Sequence, residues 1–73
     1  MPIKKINLKR KNIEKALKGL REIAENGGNL FDDRFNILDD VFQRNVFYLE
    51  EIGIDVLEYR RKYDEIINFK KNF

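Results

Sequence analysis

From Phe31 to Phe73, alternating steps of four and three land on Phe31, Phe35, Leu38, Phe42, Asn45, Leu49, Ile52, Val56, Tyr59, Tyr63, Ile66, Lys70 and Phe73. Eleven of these thirteen positions are apolar or aromatic, which marks a helical seam with a period near 3.5. Ahead of it, Ile13, Ala16, Leu17, Leu20, Ile23 and Ala24 fall on one face of a helix over about residues 12–26, with Asn12 as its cap. Asn26-Gly27-Gly28-Asn29 stops that helix, because glycine and asparagine accept the left-handed backbone a C-cap needs. Gly19 inside it costs about 1 kcal/mol relative to alanine and marks a close approach of another helix.

The seam predicts a second helix over about 31–51, capped by Asn29 or Asp32, and a third over about 55–70. Gly53 between them has two readings. Left unbroken, residues 31–69 would form a rod about 58 Å long, which helix one, at about 21 Å, could not cover, so a second copy would be needed. Broken at Gly53, with Asp55 capping the new helix, the chain folds back on itself. Phe47 and Ile54 point away from the seam of an unbroken rod, which favours the break. The expected fold is all-α: a small three-helix bundle, or a helical hairpin whose long second element is coiled-coil-like. Residues 12–73 make one helical domain behind a basic arm over 1–11.

That arm carries Ile3, Ile6 and Leu8 among Lys4, Lys5, Lys9, Arg10 and Lys11. Two readings compete, an extended strand with Lys5, Asn7 and Lys9 on one face and a disordered cationic tail; like-charge repulsion at a chain terminus favours the tail.

Composition narrows the chemistry. With 73 residues and neither cysteine nor histidine, the chain has no disulfide, thiolate nucleophile or haem ligand to offer, and no ordinary zinc site. No apolar run is long enough for a membrane span or a secretory signal, so a cytoplasmic protein without a membrane partner is expected. The net charge of +2 conceals blocks: residues 1–21 sum to +7, 22–58 to −8 and 59–73 to +3. Such segregation speaks of binding partners.

Candidate chemistry is correspondingly thin. Asp32, Asp33, Asp39 and Asp40 share one side of a helix, but carboxylates alone make no catalytic or cation site without converging ligands, and helix capping with a solvated face accounts for them. Tyr59 and Tyr63 beside Arg60, Arg61 and Lys62 fit core packing with the hydroxyl at the rim better than base stacking. Asn45, alone and polar in the seam, could set the register of a homo-oligomer. The expected function is therefore non-enzymatic: a regulatory, inhibitory or adaptor module that binds protein, either a second copy or another partner. It would use Asp39, Asp40, Asn45, Phe47, Tyr48 and Ile54, with no catalytic residue, metal, cofactor or small-molecule substrate.

The alternative partner is nucleic acid, held by Lys4, Lys5, Asn7, Lys9, Arg10 and Lys11. Ile6-Asn7-Leu8, followed by a helix, a glycine-containing turn and a second helix, resembles the layout of ribbon-helix-helix DNA-binding proteins. The resemblance covers residues 3–49 and implies a dimer whose ribbon enters the major groove, with Lys5, Asn7 and Lys9 toward the bases and Ile6 and Leu8 packed beneath.

Overall fold

In the computed structural model, residues 3–26 and 33–71 are described. They form three helices and, among the described residues, no strand: α1 (Ile3–Glu25), α2 (Asp33–Glu51) and α3 (Leu57–Lys71). The all-α class is as expected. Phe31 and Phe73 at the ends of the seam, Asn29 and Asp32 as caps, and the glycine pair after helix one lie outside the described residues.

Helices α1 and α2 run antiparallel, and three contacts fix their register. Gly19 lies against Leu38, whose methyl carbon is 2.7 Å from where a Cβ on residue 19 would stand. Seven residues back along α1 and seven forward along α2, the Asn12 amide donates to Asn45 Oδ1 at 3.4 Å. A further three in the same sense bring Lys9 Nζ to 5.0 Å from the centre of the Tyr48 ring. Along the pair Ile13, Ala16, Leu20, Ile23, Phe35, Phe42, Val46 and Leu49 are buried. Removing a Val, Leu, Ile or Phe side chain of this kind from water is worth about 1.5–3 kcal/mol. Gly19 is thus a point of close approach to α2, as its place inside helix one implied.

The seam breaks at Gly53, the favoured reading, and the hydrogen bonds show how. The Gly53 amide donates to the Glu50 carbonyl at 3.0 Å, and the Ile54 amide to the Leu49 carbonyl at 2.9 Å. This paired closure is the Schellman motif, which needs a left-handed residue at its corner; Gly53 has φ of +86°. The motif also calls for an apolar residue just past the corner to fold back on the last turn, and Ile54 packs against the core. Asp55 then accepts the Leu57 amide at 2.9 Å and caps α3, which starts two residues later than expected.

Helix α3 packs closely on α1 and reaches α2 through long side chains. Val56, just before it, and Ile66 are buried, Tyr59, Tyr63 and Ile67 are partly so, and the Tyr63 ring stacks on Phe42 at 4.8 Å and 8°. Arg60 bridges back to Glu50 at 3.0 Å, an exposed pair worth at most about 1 kcal/mol.

The N-terminal arm departs from expectation. Residues 3–11 are neither a strand nor a disordered tail; they are the first turns of α1. Helical phase extends backwards from Ile13 to Ile6, which packs against the core. Lys5 and Lys9, one turn apart, both stand over Tyr48, at 5.1 and 5.0 Å from its centroid. The first turn of α1 contains no acid and carries Lys4 and Lys5 at the positive end of the helix dipole, which opposes helix formation. Cation–π attraction of about 0.5–1 kcal/mol per lysine offsets that cost. The boundary placed at residue 12 is therefore not a boundary, and Asn12 is no cap: it lies mid-helix, bonded to Asn45.

Two outcomes follow. Gly53→Ala, whose methyl would meet nothing within 4 Å, should lose about 1 kcal/mol in urea unfolding through backbone strain alone, and Gly53→Asn less. Tyr48→Leu should leave the core in place yet speed amide exchange of residues 4–9 relative to residues 16–24, because only the lysine–ring contacts are lost.

Candidate interaction surfaces

The residues singled out for protein binding do not form one surface. Asn45 is 7% exposed, and its amide is satisfied internally: Nδ2 donates to the Val41 carbonyl at 2.5 Å, and Oδ1 accepts from Asn12. It sets a register, but that of α1 on α2 within one chain. Ile54 is half-buried as part of the Schellman closure. Tyr48 is half-buried beneath two lysines. These three are thus already engaged by their own chain.

Asp39 and Asp40 part company as well. Asp39 is half-buried, accepts from the Gln43 amide at 3.4 Å and faces Tyr63 of α3. Asp40 is exposed and pairs with Arg44 one turn on, at 3.0 Å. Phe47 alone fits the expectation of an exposed anchor: 59% of it is accessible, on a face bearing Asp40, Gln43, Arg44, Glu50 and Glu51.

The basic residues are better gathered. Lys4, Asn7, Arg10 and Lys11 line a shallow groove of about 470 Å³ along α1, together with Leu8 and Glu14. Lys5 and Lys9 turn the other way, onto Tyr48. The ribbon-helix-helix arrangement does not form, since residues 5–9 are helical and their side chains fan round the axis instead of alternating between two faces. Leu8, expected beneath a ribbon, is 56% exposed. Ile37, 63% exposed and absent from the sequence-based candidates, sits on α2 off the seam. Its signal was there to read: a β-branched apolar residue outside the four-three phase, between Asn36 and the seam residue Leu38.

Among the described residues one titratable group is strongly perturbed. The Tyr63 hydroxyl is pushed up to about 12, first by burial between α2 and α3, then by its hydrogen bond to Asp39 and that carboxylate's charge. Its partners are one carboxylate and one amide, a structural pairing that ties α3 to α2. Among the described residues no group of three or more acids could hold a metal ion, and no buried side-chain polar atom lacks a partner. No helix among them is long and apolar enough to cross a membrane.

No protein-family model matches the chain, and no curated protein or solved structure matches it.

The tyrosine gives a pH-dependent outcome. Below pH 10 the phenol is protonated whether the chain is folded or not; between about 10 and 12 the unfolded chain releases the proton while the folded one keeps it, so stability falls across that window. Urea midpoints measured from pH 9 upward should therefore drop more steeply for the native chain than for Tyr63→Phe.

Proposed function

We propose that this chain is a small non-enzymatic protein-binding module, regulatory, inhibitory or adaptor in role, that works through helical faces of segregated charge. The observation that carries the reading is Phe47. A large aromatic ring, 59% exposed, stands on a polar face of α2 among Asp40, Gln43, Arg44, Glu50 and Glu51. Such a ring leaves most of its surface in water and suits an anchor entering an apolar pocket with a basic rim, the helix-in-groove mode of recognition. We read the three helices as a self-contained bundle closed by the Phe42–Tyr63 stack, in place of a coiled coil, and its working place as the cytoplasm.

The groove on α1 supports a second reading, nucleic-acid binding. Four of the six candidate residues converge there, and lysine and arginine on one helical face suit phosphates.

A photo-crosslinker at position 47, introduced in the source cell, should trap one protein partner, and Phe47→Ser should abolish its capture without changing the helical circular dichroism. Loss of capture with Lys4, Arg10 and Lys11 changed to alanine, together with steeply salt-dependent binding to DNA or RNA, would favour the second reading instead.

A further inference from the structure

The corner between α2 and α3 interrupts the helix but not the seam. Across it Leu49, Ile52, Val56, Tyr59 and Tyr63 keep the four-three spacing they would have on one continuous helix, a phase that a turn has no need to preserve. The corner is short, residues 52–56, and rests on the left-handed backbone of Gly53, with φ of +86°.

Helix α3 is also the most lightly held of the three. Among its described residues Ile66 is the one that is buried, with Tyr59, Tyr63 and Ile67 half-covered. Its seat on α1 is incompletely filled: two adjoining grooves of about 240 Å³ each run between the helices and share Arg21 and Ile66. A short hinge beside a lightly held terminal element is the setting in which like chains exchange that element.

We infer that α3 is exchanged between two copies of the chain: each corner straightens, α2 and α3 run on as one rod, and α3 of each copy takes its usual place on α1 of the other. The interface is the one the closed chain already makes with itself. Leu49 and Val56, and likewise Phe42 and Tyr63, stand at equal steps on either side of the junction of Ile52 and Gly53. Two rods lying antiparallel about a two-fold axis at that junction therefore set Phe42 of each copy on Tyr63 of the other, the stack seen within one chain. A rod over residues 33–71 is about 58 Å long, and α1, at about 34 Å, covers its α2 half while α1 of the second copy covers the rest. The axis brings the starts of both α1 helices, with Lys4 and Lys5, to Glu50, Glu51 and Asp55 of both chains. Exchange gives up the partial cover of Ile54 and the Asp55 cap and adds the entropy of association, so the closed chain prevails at low concentration. Phe47 points outward in either form, so the exchange holds or fails separately from the function proposed above.

Sedimentation of full chains, unfolded in urea and refolded at concentrations from about 10 μM to about 1 mM, tests it. Gly53→Ala strains the corner and favours the rod, so its dimer should form at least about a hundredfold more tightly than the native one; Gly53→Asn, the milder variant, should act less strongly in the same sense. Leu57→Pro, at the first residue of α3, suits the closed bundle but breaks a rod. Added to Gly53→Ala, it should return the chain to a monomer with its helical circular dichroism retained. The chain has no cysteine, so Arg21→Cys with Glu65→Cys places two thiols on the α1 and α3 sides of one groove. A short bismaleimide should join them within one chain in the monomer and between chains in the Gly53→Ala dimer. A Gly53→Ala chain no more dimeric than the native one, a dimer joined within chains, or a dimer that survives Leu57→Pro would overturn the inference.

Discussion

The register of α1 on α2 is the constraint from which the other features follow. It is held at three levels along the pair by three different kinds of contact: a missing Cβ at Gly19, an amide pair at Asn12 and Asn45, and an aromatic ring under two lysines at Tyr48. The amide pair is the most discriminating of these. A slip of one residue would part Asn12 from Asn45 Oδ1, and leaving that buried oxygen unpaired costs about 1–3 kcal/mol. Once the register is set, Ile13, Leu20, Phe42 and Leu49 meet in one core, and α3 needs only Val56, Ile66 and its tyrosines to close over them.

Electrostatics shape the same pair. Antiparallel packing places the lysine-rich start of α1 beside the end of α2, where Glu50, Glu51 and the negative end of the helix dipole lie. The blocks of charge along the chain are thus complementary across the fold. They allow a helix to begin at a position where local dipole and charge both argue against it.

What the sequence displays and what it hides divide along the same line. The seam, the break at Gly53, the role of Asp55 and the close approach at Gly19 were all legible, because each depends on residues near one another in the chain. The helical state of residues 3–11 was not. Its cause is Tyr48, some forty residues away, and repulsion among lysines read alone points the other way. Asn45 showed as a register residue, but its partner could not be read: an asparagine seeks any donor and acceptor within reach, and only the fold supplies Asn12. Ile54 looked like surface for a related reason, since its burial belongs to a C-cap and has no place in the four-three phase. Of the candidate surfaces, Phe47 and the groove on α1 survive because both stay exposed, whereas Tyr48 and Asp39 are drawn into contacts between helices.

The turn at Gly53 bears on the order in which the chain assembles. Its two closing hydrogen bonds span three and five residues, and the Asp55 cap spans two, so the corner between α2 and α3 forms from contacts that are local in sequence. Contacts of that kind carry little loop-closure entropy and form on the time scale of a single helix. The pairing of α1 with α2 reaches across 19 to 39 residues between Gly19–Leu38 and Lys9–Tyr48 and closes later. A nascent chain meets these steps in the reverse order, because α1 leaves the ribosome first and must wait for Tyr48 before its basic end has anything to rest on. Of the three helices, the last to be made is thus joined to its neighbour by a corner of purely local contacts.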